Sequence, residues 1–230
     1  MEAIILAGGK AERLGDAAGG RPKALVEVAG KPLAAYQVGR LARAGVTRVI
    51  FACAAGQGSL FRSELAGLGA EIVVAEEHER LGRGGGIKFA ATLRTRPGDV
   101  FALNGDELVD IDYAGLLAAH RAGDALATIA VAQPRSQFGL VDVDDDDLVH
   151  GFREGGQVSF WVNCGNYVLS PEAIERFPDH GDHESTTFPE LAAERKLRAF
   201  RHTGLWLTVN TPKELRVAQD HVAAHPEWLS

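Results

Sequence analysis

The chain is poor in the residues that hold small extracellular folds together: two cysteines among 230 residues cannot build a disulfide framework. Cys53 and Cys164 lie far apart in apolar, strand-like stretches and read as buried thiols of a reducing compartment. Neither has the neighbouring Cys or paired His of a zinc site. Basic residues are also in deficit, 24 Lys and Arg against 31 Asp and Glu. The resulting net charge of −7 argues against a nucleic acid or an anionic membrane as partner, though a local basic pocket for a small anion remains compatible with it. No stretch comes near the roughly 18 apolar residues of a membrane span. The opening run MEAIILAGGK has no basic leader and too short an apolar core for a signal peptide, so a cytoplasmic location is expected. Also missing are the Walker A loop, the G-x-G-x-x-G fingerprint and any G-x-S-x-G elbow, which leaves nucleophilic hydrolase chemistry without support.

What is there has the balance of an ordinary globular protein, 46% apolar and 24% charged. The length fits one domain over 1–230, with halves at about 1–110 and about 111–230. Glu2–Leu6, Val49–Cys53, Glu71–Ala75 and Val100–Leu103 predict buried strands. Between them, Leu33–Ala44 carries the helical period and stops at Gly45. Phe61, Leu65 and Leu68 mark a short helix, and another is expected from about Gly85 to Leu93. This alternation predicts an α/β fold, a Rossmann-like three-layer sandwich with a mostly parallel central sheet. The second half is less regular, with strands expected at Ala125–Ala132, Leu140–Val143 and Val158–Leu169 and helices at Phe188–Glu194 and Thr211–Ala224. Ligands of such sheets sit at the carboxyl ends of the strands, where the loops starting at Ala7, Ala75 and Asn104 should gather.

The first of those loops holds Gly8 and Gly9, then Lys10, Arg13 and Lys23. Without a Cβ, glycine lets backbone N–H groups come close to phosphate oxygens. Three cations with two glycines suit a triphosphate better than a single carboxylate. A flexible loop with solvated cations would account for Gly8-Gly9 alone, but less well once Arg13 and Pro22-Lys23 are counted. Asp106 lies in the tight turn Asn104-Gly105-Asp106 just past a strand and is aimed at the same edge. There it is either a magnesium ligand, one of the one or two protein oxygens that ion usually takes, or a helix cap or turn former.

These motifs resemble those of the sugar-1-phosphate nucleotidyltransferases, the nucleotide-sugar pyrophosphorylases. That family carries L-A-G-G-x-G-x-R-L, then P-K-x-L and G-K-P-L; this chain has Leu6–Gly9, Arg13-Leu14, Pro22-Lys23 and Gly30–Leu33 in that order. Ala11 stands where the family has Gly, so a slightly different loop path is expected. Leu81–Ile87 is similar to the family's L-G-T-G-G-A-I segment, with Arg83 in place of Thr. The likeness is greatest to the short bacterial branch of heptose- and mannose-1-phosphate guanylyltransferases and muramate-1-phosphate uridylyltransferases. It implies a magnesium-dependent, in-line condensation of an NTP, GTP favoured, with a sugar 1-phosphate, and a small β-rich acceptor-binding lobe in the second half. Arg13, Lys23 and Asp106 become the expected catalytic residues. Nucleotide binding is expected of Leu6, Ala7, Gly8, Gly9, Lys10, Arg13, Gly84, Gly85, Asn104 and Gly105, and sugar-phosphate binding of Lys23, Gly139, Glu154, Asn163 and Glu184. The implied partners are those small molecules, without nucleic acid or membrane, and homo-oligomerisation is left open.

The family closes its site with W-x-D-x-G-T, whose Asp is the second magnesium ligand. Thr208 stands in that place, so either the metal site is impaired or Asn210, one strand period further on, supplies the oxygen beside Asp106. Asn210 is the expected ligand. The run Asn210–Leu215 also resembles the end of molybdopterin guanylyltransferases. That keeps a molybdopterin- or cobinamide-like guanylyltransferase as an alternative, together with a non-catalytic nucleotide-binding regulator. Asp179–Glu184 has a metal-like composition but no zinc spacing and reads as a solvated loop; Asp144–Asp147 reads as an acidic hairpin tip. Trp161 and Trp206 read as packing aromatics, and Trp228 as cover for an interface.

Overall fold

In the computed structural model, which describes residues 1–9 and 11–229, the first strand is apolar on both sides of its pleat. Ala3 and Ile5 enter one core and Ile4 another, all fully buried. A strand of this kind needs a helix layer on each face. The expected site residue Lys10 lies outside the described residues.

The chain runs β1 (Glu2–Leu6), β2 (Glu27–Val28), β3 (Lys31–Pro32), α1 (Leu33–Arg43), β4 (Arg48–Ala54), α2 (Gly58–Glu64), β5 (Glu71–Glu77), α3 (Gly82–Ala91), β6 (Val100–Asn104) and β7 (Glu107–Val109). It continues through α4 (Tyr113–Arg121), β8 (Ala127–Ala132), β9 (Arg135–Val143), β10 (Val149–Gln157), β11 (Val162–Leu169), α5 (Pro171–Glu175), α6 (Thr187–Ala193), β12 (Leu197–Arg201), β13 (Trp206–Thr208) and α7 (Pro212–Ala224). Seven strands form one sheet in the order β12-β8-β11-β6-β1-β4-β5. β1 is parallel to β4 and β6, β4 to β5, and β12 to β8, while β11 runs antiparallel to both its neighbours. Helices α1, α2 and α4 bury their apolar faces in one core, α3, α5 and α6 in the other. This is the Rossmann-like three-layer arrangement. Phe51 on β4 meets Phe61 on α2 with ring centroids 5.1 Å apart. Each such buried side chain contributes about 1.5–3 kcal/mol.

A third cluster packs α7 against Leu14, Val28, Leu33 and Tyr36. The N-terminus of α7 is fixed by a capping box between Thr211 and Glu214 with Pro212 in the first turn. Trp228, expected to cover an interface, is buried in this cluster, edge-on to Tyr36 and under the Arg40 guanidinium. Trp161 is partly exposed and lies beside Arg201. Both cysteines are free and buried, and burial pushes each thiol up to about 12.

The strand expected at Val158–Leu169 begins only at Val162, and β10 is a strand that apolar alternation did not mark. Its sequence VHGFREGGQ is rich in glycine and charge because it pairs with β9 alone and is largely exposed, so no core dictates its pattern. The Asp144–Asp147 turn is the tip of that hairpin, with Asp147 at φ 62° and Asp144 Oδ1 accepting from the N–H groups of Asp146 and Leu148. Among the described residues no helix is long and apolar enough to cross a membrane.

Candidate active site

The sheet order sets the site. The chain steps from β1 outward to β4 and β5, then returns to the other side of β1 as β6. The crevice at such a switch point lies beyond the carboxyl ends of the two diverging strands. At that place β1 runs into Ala7, Gly8 and Gly9, and β6 into Asn104, Gly105 and Asp106. A Cβ on Gly8 would meet nothing within 4 Å, and one on Gly9 would first meet Lys23 Cδ at 3.9 Å, so the loop faces open space. Ala11 sits at φ −81°, where alanine is unstrained, so replacing the family glycine costs this backbone nothing. Arg13 follows on a 3-10 turn held down by the buried Leu14.

Gly105 is required by contact. Its N–H donates to the Leu6 carbonyl at 2.9 Å, and a Cβ there would lie 2.4 Å from that same oxygen. The turn is thereby clamped to the end of β1, and Asp106 projects into the crevice. Lys23 arrives from a second 3-10 turn, Lys23–Leu25, whose Ala24 and Leu25 are buried. Its Nζ donates to Asp106 Oδ2 at 2.7 Å and to Asn210 Oδ1. Asn210 stands in the bend ahead of α7, where Glu214 Oε2 accepts from its N–H at 2.7 Å.

A cleft of about 370 Å³ results, lined by Leu6, Ala7, Gly8, Gly9, Arg13, Lys23, Asn104, Gly105 and Asp106, among others. A second hollow of about 710 Å³ shares Gly8, Gly9, Arg13, Lys23, Glu77 and Arg80 with it and adds Asn210. Arg13, Lys23 and Asp106 therefore surround one space. The period-two expectation for Thr208 and Asn210 does not hold: β13 ends at Thr208, which lines a different groove beside Trp206 and Lys213. The two hard oxygens that meet one ammonium, a carboxylate from Asp106 and an amide from Asn210, are the kind magnesium accepts. Among the described residues there is no cluster of three or more His, Cys, Asp or Glu suited to a metal.

Other expected residues lie elsewhere. Gly84 and Gly85 open α3 against the 178–183 segment; a Cβ would fall 2.9 Å from His183 N or 2.2 Å from Asp179 O. Their N–H groups point to the Gly181 carbonyl, so their need for glycine comes from packing and not from the cleft. Gly139 and Glu154 pair with each other on the exposed β9–β10 ribbon, and neither lines the cleft. The exposed Phe152 ring lies across Gly139, 2.7 Å from where a Cβ would be. Asn163 and Glu184 do come together: Glu184 Oε1 accepts from Asn163 Nδ2 at 3.0 Å and from the Tyr167 hydroxyl at 3.1 Å.

Several residues of the site were not singled out as such by the motifs. Glu77, Arg80 and Arg83 line the cleft. Burial raises the carboxyl of Glu77, while the N–H of Leu81 and the charge of Arg80 oppose the rise. Glu107 lies buried beneath the Asn104–Asp106 turn, pushed up to about 8 by burial and then by the Asp106 charge. For Glu77 the sequence offered only a run of acids, Glu76–Glu79, just past a predicted strand, which does not say which of them faces the cleft.

The sequence profile of the family described as nucleotidyl transferase matches residues 2–225. The chain is 33% identical over 221 residues to the mannose-1-phosphate guanylyltransferase catalytic subunit beta of Drosophila pseudoobscura pseudoobscura, covering 92% of this chain and 60% of that protein. It is 31% identical over 244 residues to the mannose-1-phosphate guanyltransferase beta-A of Xenopus laevis, covering 100% of this chain and 68% of that protein. The chain thus spans about 60–68% of the length of these curated relatives. Among solved structures, HddC from Yersinia pseudotuberculosis superposes with a TM-score of 0.73 at 26% identity, covering 96% of this chain and 98% of that one. The same protein complexed with GMP-PN gives a TM-score of 0.71, with the same identity and coverage.

Proposed function

We propose a function from a premise the family match establishes: this chain belongs to the nucleotidyl transferase family. The reaction we assign is condensation of an NTP with a sugar 1-phosphate, giving an NDP-sugar and pyrophosphate. The observation that carries it is the meeting of Lys23 with Asp106 and Asn210 in a glycine-lined cleft beside Arg13. That arrangement offers backbone N–H groups, cations and hard oxygens to one polyphosphate.

An oxygen of the acceptor phosphate attacks the α-phosphorus in line. The bond to the bridging oxygen breaks, pyrophosphate departs with its electron pair, and no covalent enzyme intermediate is needed. Arg13 neutralises the β- and γ-phosphates and the charge that grows on the leaving group. Lys23 lies between the α-phosphate and the incoming phosphate and reduces the repulsion between two anions. Asp106 and Asn210 would hold magnesium, which when bound screens phosphate oxygens from one another. Glu184, held by the Asn163 amide and the buried Tyr167 hydroxyl, presents a carboxylate oxygen to the hydroxyls of the acceptor ring.

Guanine is the favoured base. Glu77 stands in the cleft at the end of edge strand β5, and a carboxylate there accepts hydrogen bonds but cannot donate them. Guanine offers two adjacent donors, N1–H and the 2-amino group, a pair that adenine, cytosine and uracil lack. The guanylyltransferase relatives and the GMP-PN complex of HddC support this choice.

The test is pyrophosphate release measured over a matrix of four NTPs and several sugar 1-phosphates with magnesium. GTP with one hexose or heptose 1-phosphate is expected to turn over fastest. Nucleotide binding without pyrophosphate release from any pairing would instead mark a nucleotide-binding regulator.

A further inference from the structure

Arg83 replaces the threonine of the family segment, and it sits where the nucleotide cleft meets the acidic run Asp179–Glu184. The two segments clasp each other through the backbone. Gly84 N–H donates to Gly181 O at 2.9 Å, and Gly181 N–H donates back to Leu81 O at 2.8 Å. A Cβ on Gly82 would lie 2.4 Å from Gly181 O, so the approach depends on glycine there. Across this clasp Arg83 Nε donates to Asp182 Oδ2 at 2.8 Å, Nη2 reaches the same carboxylate, and Nη1 lies 2.7 Å from Glu184 Oε1. Asp182 in turn accepts the N–H of Glu184 at 3.0 Å.

Two carboxylates therefore engage the planar fork of Arg83, and its charge is balanced before any phosphate arrives. A lysine could not match this geometry, because its ammonium is a single point of charge. On the far side, Glu184 Oε1 also takes the donors of Asn163 and Tyr167. One oxygen is saturated by three donors. Its partner Oε2 has no hydrogen bond among the described residues.

We propose that Arg83 is a positioning residue for the acceptor: it fixes Glu184 so that Oε2 accepts a hydroxyl of the acceptor ring. This rests on the reading of the site as a sugar-1-phosphate nucleotidyltransferase and narrows its substrate class. The ring carries a free hydroxyl where it meets Glu184, because a carboxylate or second phosphate there would face a like charge. Arg83 thus acts on acceptor recognition although it lines the nucleotide cleft.

Steady-state kinetics with each substrate varied separately test this. Arg83→Thr is expected to raise the acceptor KM about tenfold or more, the effect of loosening a charged hydrogen-bonded group, with kcat at saturating acceptor and the GTP KM within about threefold. Arg83→Lys should recover part of the loss. Adding Glu184→Gln to Arg83→Thr should cost little more than either change alone, because both act through one carboxylate. Lys88→Ala releases Asp179 and the Phe177 carbonyl of the same segment without touching Glu184, and should leave the acceptor KM unchanged. A rise in GTP KM without a rise in acceptor KM would make Arg83 a nucleotide ligand and overturn the proposal. An equal effect of Lys88→Ala would reduce Arg83 to general support of the loop and also overturn it. Failure of the unaltered protein to turn over any sugar 1-phosphate would sink the functional reading itself, and this inference with it.

Discussion

Lys23 holds the two oxygens, from Asp106 and Asn210, that a divalent ion would also use. An ammonium and a metal ion cannot fill one space between the same oxygens, so an ion bound there would compete with Lys23. In nucleotide-free protein, Lys23→Ala is expected to tighten Mn²⁺ binding, read by electron paramagnetic resonance of the free ion. The same change should lower kcat by about 10²-fold, since a preorganised charge is lost from the reacting phosphates. Weaker Mn²⁺ binding in that variant would show that Lys23 supports the ion site instead. Asp106→Ala is expected to lose both Mn²⁺ binding and about 10²-fold in kcat, and unchanged ion binding would remove it as a ligand. In the proposed complex Glu77→Gln would put a donor where guanine needs an acceptor. The preference in kcat/KM for GTP over UTP should fall about tenfold, and an unchanged ratio would take base reading away from Glu77. Lys23 and Asp106 could be picked out of the sequence because each lies in a short motif next to a strand end. Glu77 could not, being one of several acids at Glu76–Glu79 with no pattern to say which turns inward. Glu107 was hidden for another reason. Its burial depends on Gly165 at φ 64°, where a Cβ would fall 2.5 Å from the Glu107 carboxylate, and that contact joins residues far apart in the chain.

Two short elements carry most of the site's geometry, and each makes its own prediction. The Asn104–Asp106 turn fails without glycine, because the obstructing atom is the Leu6 carbonyl and backbone cannot step aside. Gly105→Ala should cost about 1–3 kcal/mol in denaturant unfolding and displace Asp106, lowering kcat as well. Full stability with full activity would show that the two strand ends can move apart. The segment ahead of α6 folds around His183, which is fully buried, stacked on Phe177 at 4.7 Å and edge-on to Phe188. Burial lowers its pKa from 6.5 to about 4. Between those values the unfolded chain binds a proton that the folded chain refuses. The contribution of His183 is therefore complete above pH 6.5 and is lost as pH falls through about 4. From pH 7 to pH 5 the native protein should lose on the order of 2 kcal/mol more stability than His183→Phe, whose ring fits the same aromatic box. Equal losses in urea titrations at the two pH values would mean the imidazole is not held neutral. At this scale the amphipathic and buried elements were readable: α1, β4 and α7 fall within a residue or two of where their patterns end. Strand β10 and the start of α3 were not, since one is an exposed ribbon partner and the other begins on glycines that a helical period does not favour.

The whole molecule arranges the residues of the proposed site along one edge of the sheet. From the β5 side come Glu77, then the Gly8-Gly9 loop after β1, then Asp106 after β6, then Asn163 on β11. Parallel alternation in the first half was enough to foresee that the loops at the first three stations converge, because each follows a strand of a β–α repeat, though not that Glu77 is the side chain at the first. The fourth depends on β11 running antiparallel between β6 and β8, and on β12 returning parallel to β8. Both pairings join segments whose local sequence does not name the partner. Four inter-strand steps separate β5 from β11, about 19 Å at the usual strand spacing. At that distance two substitutions that share no partner should act independently, adding within about 0.5 kcal/mol. Glu77→Gln should therefore raise the KM for GTP and leave that for the acceptor alone, and Asn163→Ala, on β11 itself, should do the reverse. In the double variant the changes in log kcat/KM should simply sum. Lys23→Ala with Asp106→Ala is the opposite case, since they touch each other, and their combined loss should fall well short of the sum. If the distant pair proved as strongly coupled as the touching pair, base and acceptor would not be bound at separate ends of one cleft, and the ordering along the sheet edge would have to be abandoned.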